Sequence, residues 1–131
     1  MTNMSVKSSL ETENMTWEQF DYACRQIAEK LQGIRFSGIY GIPRNGLVVA
    51  IRLSYLMNLP LILSETDIRF FTLVVDDIVD SGQTLQKLRD RLFGMNFITA
   101  SLYIHSNSNI KPSVSVYTKT DKWIVFPWEK K

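Results

Sequence analysis

The stretch TLVVDDIVDSGQTL, residues 72–85, constrains the possible fold more strongly than any other part of this chain. It begins with an apolar run typical of a strand that is covered on both faces. Three acidic residues, Asp76, Asp77 and Asp80, follow at the predicted end of that strand, and a glycine-containing turn leads into a helical pattern. A buried strand that ends in such a turn predicts an α/β sheet with a ligand bound beyond the carboxyl ends of its strands.

The rest of the chain alternates between strand and helix patterns around a predicted strand at 70–77. Thr16 and Gln19 have capping-box spacing, and apolar residues recur at steps of three and four up to Leu31, which predicts an amphipathic helix that ends near Gly33. Other strands are predicted at 37–42, 59–64, 97–104, 114–117 and 123–126, and other helices at 47–58 and 85–94. This order predicts an α/β fold with a mostly parallel central sheet flanked by helices.

Length and composition indicate one globular domain of 131 residues. Residues 1–14 are polar and lack periodicity, so we expect a flexible N-terminal tail followed by a single domain at 15–131. The net charge of +2, without a block of like charges, gives no indication of a nucleic-acid or membrane partner. The single Cys24 cannot form an internal disulfide, and no apolar run resembles a signal peptide or a membrane helix, so a cytoplasmic protein is expected.

The turn at 80–84 has the composition of a phosphate site. Gly82 permits close backbone approach, Ser81 and Thr84 add hydroxyl donors, and the following helix directs its free amides and positive dipole end into the turn. The carboxylates just upstream would repel a phosphate unless they face ribose hydroxyls or a divalent cation, so the pattern predicts a sugar phosphate bound with Mg²⁺. An ordinary turn with solvated acids is the plainer alternative, but such a turn would need fewer of these residues.

Three other stretches, together with LVVDDIVDSGQT at 73–84, resemble a known family. LVVDDIVDSGQT is similar to the phosphoribosyl-pyrophosphate (PRPP) signature of type I phosphoribosyltransferases. The stretches TWEQFDYACRQIAEKL, YGIPRNGLVVA and KWIVFPWE resemble the first helix, the pyrophosphate loop and the C-terminal segment of bacterial xanthine-guanine phosphoribosyltransferases. The resemblance covers about residues 16–129.

This resemblance implies a type I phosphoribosyltransferase-like fold and a Mg²⁺-dependent purine phosphoribosyltransferase. Such an enzyme transfers the phosphoribosyl group of PRPP to a purine base of the guanine, xanthine and hypoxanthine class. The products are a purine nucleoside monophosphate and pyrophosphate. The resemblance also suggests a homo-oligomer.

The same resemblance implies a role for each residue of the site. Asp76 and Asp77 would hold the ribose hydroxyls and Mg²⁺, with Asp77 the better candidate for the metal contact. Asp80 would be the catalytic residue and exchange a proton with purine N7 as N9 attacks or leaves the anomeric carbon. The other implied substrate-binding residues are Ser81, Gly82, Gln83 and Thr84 at the 5′-phosphate, Arg44, Asn45 and Gly46 at the pyrophosphate, and Trp123 and Ile124 over the purine.

Three departures from the family pattern bear on activity. The typical Ser-Arg-Gly-Gly of the pyrophosphate loop is Pro-Arg-Asn-Gly at 43–46. His105 stands where the family has a lysine for the exocyclic oxygen of 6-oxopurines, and it either donates a hydrogen bond to the base or is a structural histidine. Lys111 compensates only if its loop folds back, and a solvated lysine is the better interpretation. The long mobile lid before the signature strand is reduced to about six residues, 65–70.

The much shortened catalytic lid loop leaves two functions open. A transferase without water exclusion by a lid is expected to be slow or leaky, or to be completed by a neighbouring subunit. The alternative is a non-catalytic nucleotide- or PRPP-binding protein, regulatory or sequestering, on the same fold. Asp80 favours the enzyme, because a protein that only binds phosphate does not need it.

Overall fold

The computed structural model describes residues 11–130, which form seven strands and three α-helices. In chain order these are β1 (Thr12–Asn14), α1 (Trp17–Lys30), β2 (Gly38–Gly41), α2 (Asn45–Met57), β3 (Leu61–Ile62), β4 (Thr72–Val79), α3 (Gln83–Arg91), β5 (Phe97–His105), β6 (Val114–Lys119) and β7 (Trp123–Val125). Short 3₁₀ turns lie at Glu65–Asp67 and Pro127–Glu129.

Five strands form the main sheet in the order β3-β2-β4-β5-β6, and every pair in it is parallel. The prediction of a mostly parallel sheet flanked by helices is confirmed. From β2 the chain moves to one edge at β3, and from β4 it moves through β5 to the other edge at β6. The strand order therefore reverses between β2 and β4, which is the place where open α/β sheets form a ligand crevice.

The apolar run of β4 is buried on both faces of the sheet. Leu73 and Val75 belong to the larger core with α1 and α2, whereas Val74 belongs to a smaller core that includes Leu88 of α3. All three β4 side chains are fully buried, and each such side chain contributes about 1.5–3 kcal/mol relative to an exposed one. Two helices on one face and one on the other thus explain why this strand lacks polar alternation.

Helix α1 begins at the predicted capping box. The Gln19 amide donates to Thr16 Oγ1 at 3.0 Å, and the Thr16 amide donates to Gln19 Oε1 at 2.8 Å. Cys24 lies in the core, and burial raises the pKa of its thiol to about 12. At 14 residues α1 is the longest helix of the described part, and none there has the length and apolar character needed to cross a membrane.

The predicted flexible tail at 1–14 differs from the structure at its end. β1 pairs in parallel with β7, and the Met15 amide donates to the Val125 carbonyl at 2.9 Å. The three side chains of β1 are polar and exposed, so its order comes from backbone pairing with a segment more than a hundred residues away. No pattern in the neighbouring residues predicts such a strand. Residues 1–10 of the predicted tail lie outside the described residues.

The shortened connection between β3 and β4 is fixed against α3. Arg91 donates to both carboxylate oxygens of Glu65, at 2.6 and 2.8 Å. Ile68 is buried with Tyr40 and Leu88 in the smaller core. The connection is therefore a packed part of the fold, as a reduced lid would be.

Candidate functional site

A cleft of about 430 Å³ opens where the strand order reverses. Its walls come from the turn after β2, the end of β4 and the turn that begins α3. The lining residues are Ile42, Pro43, Arg44, Asn45, Asp76, Asp77, Ile78, Val79, Asp80, Ser81, Gly82, Thr84, Leu85 and Glu129. The structure thus brings together eight of the predicted site residues in one space.

Asp76 and Asp77 lie within β4, which extends two residues past the predicted strand end at 77. β4 extends to Val79 because β5 continues to pair with it past Asp76. The Asp77 amide donates to Asp76 Oδ1 at 2.8 Å, and the Ile78 amide donates to Asp77 Oδ1 at 2.7 Å. Burial, followed by the hydrogen bond and the charge of Asp77, raises the pKa of Asp76 to about 9. The pair therefore holds a proton at neutral pH.

The turn before α3 is shaped by Gly82. Its φ of 88° is left-handed, and a Cβ placed there would lie 2.5 Å from Ile110 Cβ of the β5–β6 connection. The Gln83 amide donates to Ser81 Oγ at 3.3 Å. The first amides of a helix lack intrahelical partners and favour an anion, so the turn can hold a phosphate. Gln83, predicted to contact this phosphate, is absent from the described lining of the cleft.

The turn after β2 places Arg44 at the cleft as predicted. Arg44 is exposed, and it directly precedes α2, which begins two residues earlier than expected. The peptide bond between Pro43 and Arg44 is cis. Gly46 lies beneath the cleft and is not among its lining residues. A Cβ at this position would lie 2.8 Å from the Val75 carbonyl oxygen, so a side chain here would prevent this close approach of the helix to the strand. Gly46 therefore serves the packing of α2 on β4.

The Asn45 side chain joins the first turn to β4 and to the C-terminal segment. Its Nδ2 donates to Asp77 Oδ2 at 3.0 Å and to Glu129 Oε2 at 3.2 Å. Its Oδ1 accepts from Trp128 Nε1 at 3.0 Å. The resemblance to the family implied a contact of Asn45 with the pyrophosphate. The side chain instead orients one of the two acids predicted to hold the sugar.

A second, smaller pocket of about 180 Å³ adjoins the cleft and shares Asn45, Asp77 and Asp80 with it. Trp123 and Ile124 both line this pocket. Trp123 is half exposed, whereas Ile124 is buried. The segment predicted to cover a purine therefore lies directly beside Asp80, the predicted proton carrier.

His105, predicted at the base, lies at neither cavity. Its Nδ1 accepts from the Asn107 amide at 3.0 Å, so Nε2 carries the proton and donates to Asp121 Oδ1 at 3.1 Å. Both ring nitrogens are thus used in the loop that follows β5. Lys111 lines a separate cavity together with His105. The interpretation of His105 as a structural histidine is the one that this geometry supports.

Two residues at the cavities, Lys119 and Glu129, were not predicted as site residues from the sequence. Lys119 Nζ lies 3.1 Å from Asp80 Oδ1, and Lys119 is the register partner of His105 on the neighbouring strand. The predicted strand at 114–117 ended two residues too early to place this lysine at a carboxyl end. Glu129 reaches the cleft from the last 3₁₀ turn, at a distance in sequence that no local pattern reveals.

The acids fit a metal ion that is shared with a ligand. Within residues 11–130, no group of three or more His, Cys, Asp or Glu side chains is arranged to hold a metal by itself. Mg²⁺ commonly binds through one or two carboxylates and completes its shell with substrate phosphates and water. Asp76 and Asp77 supply that smaller donor set.

Comparisons with known proteins agree with this geometry. No family model matches the sequence. The chain is 28% identical over 138 residues to the xanthine-guanine phosphoribosyltransferase of Idiomarina loihiensis, which covers 88% of this chain and 85% of that protein. A purine phosphoribosyltransferase structure from Pyrococcus horikoshii matches with a TM-score of 0.80 at 29% identity, over 93% of this chain and 97% of that one. The fold is that of the type I phosphoribosyltransferases.

A more distant structure shares this phosphoribosyltransferase fold. The Helicobacter pylori xanthine-guanine-hypoxanthine phosphoribosyltransferase matches with a TM-score of 0.75 at 23% identity, over 91% of this chain and 94% of that one. The resemblance inferred from LVVDDIVDSGQT is therefore confirmed at the level of fold and relatives.

Proposed function

We propose that this protein is a purine phosphoribosyltransferase of the salvage type, which joins a purine base to the phosphoribosyl group of PRPP. The observation that carries the proposal is the pair of adjoining cavities at the reversal of strand order. One is lined by the turn at 80–84, by Arg44 and by the acids Asp76 and Asp77, among others, and the other holds an aromatic side chain beside Asp80. The relatives named above are matched over most of their length, which supports the same activity here.

The cleft suits PRPP from one end to the other. The 80–84 turn receives the 5′-phosphate, and Arg44 supplies a fixed positive charge to the pyrophosphate. Asp76 and Asp77 face the ribose hydroxyls between them. Mg²⁺ bound at Asp77 would neutralise charge on the leaving pyrophosphate. Because Asp76 is protonated in the free protein, binding of a cation beside it favours release of that proton.

The reaction needs orientation and charge more than covalent participation by the protein. Purine N9 attacks the anomeric carbon as the bond from that carbon to the pyrophosphate oxygen breaks. The sugar becomes oxocarbenium-like, and nearby carboxylates stabilise its positive charge. Asp80 lies on the border of the two cavities, where it accepts the N7 proton that the base loses as the new bond forms.

A non-catalytic nucleotide- or PRPP-binding protein is the second candidate. The observation in its favour is the connection at 63–71, which the Glu65–Arg91 pair holds against α3. Among the described residues, none from this connection lines the cleft. A site open to water loses part of the advantage that closure gives to group transfer.

Pyrophosphate release separates the two candidates. The protein is mixed with PRPP, Mg²⁺ and, in turn, guanine, xanthine, hypoxanthine and adenine, with a parallel series in excess chelator. We expect release with at least one base, and its loss in the chelator series. Measurable nucleotide binding without release for any base would reject the enzyme and leave the binding protein.

We also propose that the protein is a cytoplasmic homo-oligomer. Exposed apolar side chains on α2 and on the segment before β4 support self-association, among them Ile51, Tyr55 and Phe71. Light scattering coupled to size exclusion is the test, and a monomer at micromolar concentration would reject the oligomer.

A further inference from the structure

Lys119, at the carboxyl end of β6, is a cation enclosed beside the predicted base position. Its side chain is only 10% exposed, and its Nζ lies 3.1 Å from Asp80 Oδ1. An ammonium group removed from water needs hydrogen-bond partners, and it has three protons to donate. In the described part of the chain its one such partner is Asp80. A ligand in the adjoining pocket can provide the next acceptor.

The same pocket holds the aromatic side chain that suits a planar ligand. Trp123 and Ile124 line it together with Lys119 and Asp80. A flat heterocycle against Trp123 has its polar edge directed at side chains of the pocket wall. If Asp80 contacts one atom of that edge, the ammonium of Lys119, 3.1 Å from Asp80 Oδ1, is placed to contact a neighbouring substituent.

An ammonium group discriminates between the two substituents that purines carry at position 6. It donates hydrogen bonds and cannot accept them. A carbonyl oxygen accepts from it, whereas an amino group presents hydrogens and leaves the ammonium with Asp80 as its one acceptor among the described residues. Sites that lose a buried polar partner in this way reject the wrong ligand strongly.

We propose that Lys119 determines the base specificity of this site: it donates to the oxygen of 6-oxopurines while paired with Asp80, and it excludes 6-aminopurines. This inference rests on the proposed function and assigns the base contact to β6. Both ring nitrogens of the neighbouring His105 are already hydrogen-bonded, one to Asn107 and the other to Asp121. Lys119 is its register partner and, with a longer side chain, reaches Asp80.

Nucleotide binding tests this inference without requiring turnover. Calorimetry measures the affinities of GMP, AMP and PRPP for the unaltered protein, Lys119→Met, Lys119→Gln and Lys87→Met. Lys87 is the control, because it is an exposed lysine of α3 that is not among the described residues lining either cavity. Thermal unfolding of each variant verifies its fold.

We expect the unaltered protein to bind GMP at least about tenfold more tightly than AMP. Lys119→Met should lose about 10- to 100-fold in GMP affinity with little change for AMP. Lys119→Gln, whose amide can also accept a hydrogen bond, should reduce the preference for GMP over AMP. Lys87→Met should change both affinities less than about twofold.

Two outcomes would overturn the inference in different ways. An unchanged ratio of GMP to AMP affinity in both folded Lys119 variants, with PRPP still bound, would reject the role of Lys119 alone. Failure of the unaltered protein to bind PRPP or either nucleotide would reject the proposed function and this role together.

Discussion

The two cavities of the site are built in different ways. The proposed phosphate side comes mostly from 14 consecutive residues, 72–85, which form a strand, a turn and a helix start, and the turn after β2 adds its other wall. The base side is assembled from the end of β6, from β7 and from the last 3₁₀ turn. A local motif fixes its own geometry through backbone conformation, whereas an assembled pocket depends on strand register. On the base side, a functional group can therefore come from a different strand and still occupy the same position in the site.

Asp80 belongs to both cavities, so its removal should have the largest effect. Asp80→Asn keeps the size of the side chain but removes the proton acceptor, and kcat should fall about 100- to 1000-fold. PRPP affinity should change less than about threefold. Initial rates and calorimetry measure the two effects, with Asp121→Asn as the control on an exposed aspartate that pairs with His105. Equal losses of rate and affinity would reject proton transfer by Asp80.

The phosphate side differs from the base side in having a buried carboxyl group, that of Asp76, which carries a proton. Its pKa of about 9 in the fold exceeds the ordinary 3.8, so its contribution to stability is complete below about pH 3.8 and is lost as pH rises toward 9. Because asparagine does not ionise, Asp76→Asn removes this loss of stability at higher pH. The variant should be more stable than the parent by roughly 2–4 kcal/mol at pH 8, with a smaller gap at pH 4.5.

Thermal and urea unfolding between pH 4.5 and 8 measure this gap. Asp67→Asn, on the exposed 3₁₀ turn, is the matched control and should show no growing gap. A gap for Asp76→Asn that does not change with pH would show that Asp76 is ionised throughout the range.

Comparison of Gly82 with Gly94 can separate the proposed role of Gly82 at the phosphate from the strain of a positive φ. Both have positive φ, 88° and 84°, but a Cβ at Gly82 meets Ile110 whereas one at Gly94 meets nothing within 4 Å. Gly82→Ala should cost about 2–3 kcal/mol and weaken PRPP binding about tenfold or more. Gly94→Ala should cost about 1 kcal/mol and leave binding intact. Equal effects on binding would remove Gly82 from the phosphate site.

His105 should give the smallest effect of the series. Both ring nitrogens are engaged outside the cavities, so His105→Gln should alter GMP affinity less than about twofold. Calorimetry beside Lys119→Met gives the comparison directly. A loss of GMP affinity in His105→Gln as large as that in Lys119→Met would indicate that His105 contacts the base.

The sequence was informative wherever a local rule governs the structure. The capping box at Thr16, the apolar run of β4 and the turn at 80–84 are read from neighbouring residues, and each forms as predicted. β1 was missed because its exposed polar side chains carry no pattern and its partner is β7. Lys119 was missed because its place follows from the register between β5 and β6. Long-range pairing is the part that one sequence does not display.

The contact of Ile110 with Gly82 makes the β5–β6 connection a natural observation point for ligand entry. Ile110 lies against Gly82 of the turn at 80–84 and is not itself among the described residues that line the cleft. A ¹³C-labelled methyl group at Ile110 would sense rearrangement of that turn through its chemical shift, without contact with the ligand. Spectra recorded while PRPP is added, with and without a purine base present, would then show whether the turn responds to PRPP alone or only after the base has bound.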